Sequence, residues 1–139
     1  MEGCCYIRNL ESETKLIFRT PLGSQTIPAG TSVNLTNAFR FGLPVAEFPA
    51  IRIVAASRNA SASNITVSLV VTIPTREGPE LFATLDQFTL GPGQTVSRVY
   101  EVPGTNLTIN AFSDGSVGES YLDLAVYGYK PFNPHQDYC

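Results

Sequence analysis

Residues 64–73 read "NITVSLVVTI": Ile65, Val67 and Leu69 alternate with Thr66 and Ser68, and the run then turns continuously apolar. Alternation at period two is the mark of a strand with one dry and one wet face, and a continuous apolar run marks backbone covered on both sides. The stretch therefore predicts a central strand of an antiparallel sheet whose far end is covered twice. Further along, "NLTIN" (106–110) sets Leu107 and Ile109 against Thr108 and Asn110 with the same period. Between the two, "VPGT" (102–105) offers Pro103 and Gly104 to a type II turn, which predicts a hairpin joining the runs on either side.

Working outward, short runs rich in Val, Ile, Thr, Tyr and Phe recur between clusters of Gly, Pro, Asn and Ser, and no stretch holds a capped helical period. Strands are expected near residues 14–20, 31–36, 51–57, 64–73, 80–90, 95–102, 105–113 and 119–129. The reading is all-β: a single antiparallel β-sandwich, jelly-roll-like, of about eight strands. "LGPGQT" (90–95) marks another connection, and "SDGSVGES" (113–120) reads as a hairpin turn. "NAFRFGLPVAEFPA" (37–50) lacks alternation and predicts a crossover loop, with Phe39, Phe41 and Phe48 plugging an end of the sandwich. The expected division is a connector arm over residues 1–12, a sandwich over 13–130 and a tail over 131–139, where two prolines disfavour a central strand.

Composition narrows the function. A chain of 139 residues with 43% hydrophobic and 15% charged residues has enough apolar surface for a real core. A net charge of −3 with two lysines leaves no basic patch for a run of phosphates, so nucleic acid is not expected as a partner. No apolar run reaches the roughly 18 to 20 residues that span a bilayer. "MEGCCYIRNLESE" lacks the basic and apolar regions of a signal peptide, which predicts synthesis in a cytosol without general export.

No catalytic set emerges. The one histidine, His135, lies in the proline-containing tail, where a precise triad is hard to hold rigid. Asp86, Glu101, Asp114, Glu119 and Asp123 follow no motif, and acids at strand edges commonly serve solvation and discourage edge-to-edge pairing. The expectation is a protein that is not an enzyme and needs no cofactor or metal. Asp114, Ser116 and Glu119 lack the spacing of a calcium loop. Cys4, Cys5, His135 and Cys139 would supply a zinc set, but adjacent cysteines do not turn both sulfurs inward as structural zinc sites require. Tyr127 and Tyr129, with Tyr121 nearby, lie near the last strand; spacing puts Tyr127 and Tyr129 on one face, where they are candidate contacts for a carbohydrate.

All three cysteines lie within five residues of an end, and their odd number leaves at least one without an intrachain partner. A vicinal pair forms a strained ring when bonded to itself and points to opposite sides of an extended arm, so Cys4 and Cys5 are suited to reach outward. Cys139 of another copy is one natural partner. About ten extended residues reach at most about 33 to 36 Å, enough to lie across a neighbouring subunit. Head-to-tail contact of that kind builds a filament when the rotation does not close. Tyr6, Ile7 and Leu10 would anchor such an arm, added as a strand to the neighbour's edge.

A compact sandwich preceded by a short connector bearing Cys4 and Cys5, without a secretory signal, resembles the subunits of endospore appendages of spore-forming bacilli. The resemblance implies a non-enzymatic homopolymer in which the connector's cysteines bond to cysteines of subunits further along the fibre. It also implies synthesis in the mother cell and exposure at the spore surface or extracellularly when that cell lyses. Two other readings stand beside it: a small carbohydrate-binding or adhesive β-sandwich module, and a phage or virion surface protein.

Overall fold

A computed structural model describes residues 12–101 and 104–131, and the alternation in the sequence reappears there as an alternation of burial. Ten strands run in order: β1 (Ser12–Arg19), β2 (Gln25–Pro28), β3 (Ser32–Asn34), β4 (Leu43–Pro44), β5 (Ala50–Ser57), β6 (Ile65–Ile73), β7 (Leu81–Leu90), β8 (Thr95–Glu101), β9 (Asn106–Ser113) and β10 (Glu119–Pro131). They form two antiparallel sheets, each of five strands. Sheet I has the order β1–β10–β5–β8, with β2 pairing the first part of β10. Sheet II has the order β3–β9–β6–β7, with β4 pairing the first part of β9.

The expected all-β sandwich is therefore found, with ten strands in place of about eight. The two additional strands are short. In "QTIP" only Ile27 turns fully inward, and "LP" is a two-residue pairing of Leu43 with Leu107, so neither has enough length to show a period.

The chain changes sheet between β2 and β3, β4 and β5, β5 and β6, and at each connection from β7 to β10. This corrects two expected hairpins. Among the described residues β8 pairs only β5, and β9 lies in the other sheet, so β8 and β9 are not hairpin partners; Val102 and Pro103 lie outside the described residues. The loop 114–118 likewise joins β9 of sheet II to β10 of sheet I. A turn motif fixes local direction but not which layer receives the next strand, and the crossing buries both dry faces at once. Among the described strands, only β6 and β7 are consecutive partners.

β6 lies between β9 and β7, as the opening stretch predicts, and Val71 and Thr72 at its far end are both buried. Ile53, Ile65, Leu69, Leu107, Ile109 and Leu122 have no exposed surface and meet between the sheets. Each such side chain contributes about 1.5–3 kcal/mol on leaving water. The end of the sandwich near loop 114–118 is closed by hydroxyls. Ser63 Oγ lies 2.6 Å from Ser113 Oγ, and Ser120 Oγ donates to the Ser63 carbonyl at 3.2 Å, so these buried polar groups of both sheets are satisfied.

Of the three phenylalanines expected to plug an end, two do so. Phe48 is buried with its ring against Gly128, in a space that any Cβ at that glycine would occupy, and Phe39 meets Phe18 edge to face at 6.3 Å. Phe41 does not, for it is 71% exposed. Gly42 follows it at φ +93° and turns the chain back onto β9.

β1 and β10 pair with Ser12 opposite Pro131, so the chain enters and leaves the described sandwich side by side at one end of sheet I. Cys4, Cys5, Tyr6, Ile7, Leu10, His135 and Cys139 lie outside the described residues.

Candidate functional site

The outer face of sheet II carries a cleft at the end where β4 begins. Its floor is made by Thr72 of β6 with Asn106 and Thr108 of β9, and its walls by Arg40 and Phe41 on one side and Glu80 and Phe82 on the other. Its volume of about 520 Å³ falls in the range of small-molecule and oligomer sites. Two aromatic rings stand at its rim, Phe41 at 71% and Phe82 at 72% exposure. A ring left that open has buried little of its apolar surface in the fold, and covering the rest would favour a partner.

Phe41 is held in place by its surroundings. Gly42 packs so closely on β9 that a Cβ would lie 3.0 Å from the Leu107 carbonyl oxygen and 3.1 Å from Thr108 Oγ1. The Gly42 N–H donates to the Phe39 carbonyl at 3.1 Å, and Asn106 Nδ2 donates to the Gly42 carbonyl at 3.2 Å. The Arg40 guanidinium stacks 5.1 Å from the Phe41 ring centroid. The ring is thus presented by a loop fastened to the floor it overhangs.

Tyr127 and Tyr129 do share a face, but it is the outer face of sheet I, away from this cleft. Tyr129 Oη accepts from Arg52 Nε at 2.8 Å, and Arg52 Nη1 donates onward to Ser97 Oγ at 2.9 Å, spreading one cation across three strands. Tyr127 borders a shallow trough floored by Val54, Ala56 and Ala125. Tyr121 Oη donates to Glu119 at 3.4 Å, also on sheet I.

Across the open edge from β7 to β8 stands a polar cluster. Asp86 Oδ2 accepts from Tyr100 Oη at 2.6 Å and from Arg98 Nη1 at 2.8 Å, while Oδ1 accepts from the Gln87 N–H at 2.8 Å. The Tyr100 hydrogen bond above all, joined by those from Arg98 and Gln87, holds the Asp86 carboxyl below its usual range against the opposing effect of burial. Burial, with the bond to Asp86 behind it, pushes the Tyr100 phenol up. Asp86 was expected to serve solvation at a strand edge; it fastens two sheets instead. A bulge is the cause: Leu69 faces Asp86 and Val70 faces Thr84, so Leu85 is an extra residue and the strand changes phase there.

Among the described residues no three of His, Cys, Asp or Glu gather to hold a metal ion, and no helix is long and apolar enough to cross a membrane. The acids Asp114 and Glu119 sit on an exposed loop end, and Asp123 bonds Ser24 Oγ and Arg58 Nε at 3.0 Å each. Phe41 and Phe82 were missed as site residues because the first was assigned to the core and the second read only as part of a strand. The one signal available was Gly42 directly after Phe41, a residue able to reverse the loop.

No protein-family model matches the chain, and no curated protein does. Among solved structures it is similar to the C-terminal family 22 carbohydrate binding module of Clostridium thermocellum Xyn10B, at 15% identity and a TM-score of 0.41, covering 90% of this chain and 96% of that one. It is similar as well to the CBM22-1–GH10 modules of the same enzyme complexed with xylohexaose, at 11% identity and a TM-score of 0.41, over 86% of this chain and 28% of that one. A third is a xylan-binding domain from CBM 22, at 20% identity and a TM-score of 0.38, over 84% and 81%.

Proposed function

We propose that the chain is a non-catalytic binding module whose sheet II cleft holds a carbohydrate. The observation that carries this reading is the pair of exposed rings, Phe41 and Phe82, set over a floor of Thr72, Asn106 and Thr108. A sugar ring offers an apolar C–H face and a rim of hydroxyls, and each half has its counterpart: aromatic faces for the one, amide and hydroxyl groups for the other. Arg40 and Glu80, of opposite charge on opposing walls, add donors and acceptors without imposing a net charge on the ligand. The test is affinity electrophoresis of the protein in gels cast with soluble xylan, glucomannan, laminarin or hydroxyethylcellulose. Retardation by at least one, abolished by Phe41→Ala and Phe82→Ala together, supports the reading; equal mobility in all gels sinks it.

A second reading is favoured by one observation. Because Ser12 pairs with Pro131, the segments bearing Cys4, Cys5 and Cys139 join the sandwich at the same end of sheet I. That placement suits a homopolymeric fibre subunit, extracellular or on a spore surface, stapled between copies through those cysteines. Its test is a detergent gel run with and without reductant. A ladder that collapses to 15.0 kDa on reduction supports it, and a monomer band in both lanes ends it.

A further inference from the structure

The cleft occupies one end of a longer surface. On the outer face of sheet II the register sets four rows across β9, β6 and β7: Asn106–Thr72–Phe82, Thr108–Val70–Thr84, Asn110–Ser68–Gln87 and Phe112–Thr66–Thr89. None of these positions carries a charge. The outer face of sheet I differs, since Arg52, Asp123 and Glu101 lie there. Neutrality on sheet II depends on the bulge at Leu85, which turns Asp86 off this face and into its bonds with Tyr100 and Arg98. The last row ends in a further aromatic ring, Phe112, 40% exposed. Three steps of two residues separate Asn106 from Phe112, roughly 20 Å along the strand.

We infer that this face binds an uncharged polysaccharide lengthwise, with Phe41 and Phe82 holding one part of the chain and Phe112 a part further along. The inference rests on the carbohydrate reading of the cleft. An amide- and hydroxyl-lined strip without charge matches a neutral polyol, and the oppositely charged Arg40 and Glu80 at its cleft end give no excess of either sign to attract an acidic or basic polymer. Aromatic contacts separated by a polar strip suit a chain whose repeating units each present an apolar face and a hydroxyl rim. The site is open along β9, so it takes an internal stretch of the chain and gains affinity with each unit added until Phe112 is covered.

The experiment is titration calorimetry with a length series of the oligosaccharide belonging to whichever polysaccharide retards the protein. The expected result is affinity that rises with length and then levels off. Phe112→Ala lowers the affinity of the longest oligomer by about tenfold, a loss of the size expected for one stacked ring, and leaves the shortest binder within twofold. Asn110→Ala, a smaller change on the same strip, lowers the longest oligomer's affinity in the same selective way. Phe41→Ala lowers both lengths. If Phe112→Ala and Asn110→Ala leave the longest oligomer unaffected while Phe41→Ala still weakens binding, the strip falls and the cleft stands. If no oligosaccharide binds at all, the cleft reading falls and this inference with it. A dimer in sedimentation that Phe112→Ala dissociates would show the face to be covered by a second copy, and would also overturn it.

Discussion

The phenol of Tyr100 donates to Asp86 Oδ2 at 2.6 Å, and through that bond β8, the edge of sheet I among the described residues, is fastened to β7, the corresponding edge of sheet II. Hydrogen bonds to a charged acceptor are stronger than neutral ones, and this one spans the open side of the sandwich. Tyr100→Phe removes the donor and nothing else. It is expected to cost about 1–2 kcal/mol and to lower the melting temperature by roughly 3–8 °C. Thermal denaturation followed by circular dichroism checks this, and an unchanged midpoint would show the bond to be idle.

The same pair predicts how stability depends on pH. The folded Asp86 carboxyl titrates below its unfolded value of about 4, so its contribution is present above that pH and is lost as pH falls through the folded value. The folded Tyr100 phenol titrates above its unfolded value of about 10, so its contribution is complete below that pH and is lost as pH rises beyond it. Urea midpoints measured from pH 2 to 11 are expected to fall at both ends. Asp86→Asn should flatten the acid limb, and an acid limb identical to that of the parent protein would contradict the assignment.

Gly128 lies on the dry face of β10 directly under the Phe48 ring. Gly128→Ala forces that ring aside in a filled core, which typically costs about 1–3 kcal/mol. Phe48→Leu alone opens space, and combined with Gly128→Ala it should recover part of the loss. Urea denaturation of the two single variants and the double variant measures the coupling; strict additivity would mean that the two residues do not compete for one space.

Much of this architecture is legible in the sequence wherever a strand is long enough to show its period. β5, β6, β9 and β10 alternate buried and partly buried residues along nearly their whole lengths, and each was placed to within a few residues. β2 and β4 were not visible, since four and two residues hold too few side chains for a pattern. Sheet membership was not visible either: β9 and β10 are separated by five residues yet lie in different layers, because the choice is made by distant partners such as β6 and β5. The bulge at Leu85 changes the strand's phase without a glycine or proline to announce it, so the inward turn of Asp86 could not be read locally. Tyr127 and Tyr129 could be placed on one face, but which sheet and which surface required the pairing.

Gly42→Ala tests the presentation of Phe41. An alanine at φ +93° is strained by about 1–2 kcal/mol, and its Cβ would press on the Leu107 carbonyl, so the loop must lift from β9. Under the carbohydrate reading, affinity is expected to fall about tenfold or more, well beyond the effect on the melting temperature. Affinity that follows only the loss of folded protein would mean that loop placement is unimportant.

Changing Cys4 and Cys5 together to Ser is expected to leave the melting curve of the sandwich in place. Under the fibre reading the assembly should then lose its resistance to boiling detergent. Retained resistance in the double variant would remove those two thiols from the account of assembly.

The pairing of Ser12 with Pro131 has a mechanical consequence. A load applied to the chain on either side of the sandwich would pull two antiparallel neighbours apart at the same end, so the rungs between β1 and β10 would bear tension one at a time. Peeling of this kind yields at low force, and it begins at Ser12 while the rest of sheet I is still intact. A module of this design is well suited to hang from both flanking segments as a pendant and poorly suited to act as a link in series. Any force-bearing use must route tension around the sandwich, through covalent bonds between the flanking segments themselves.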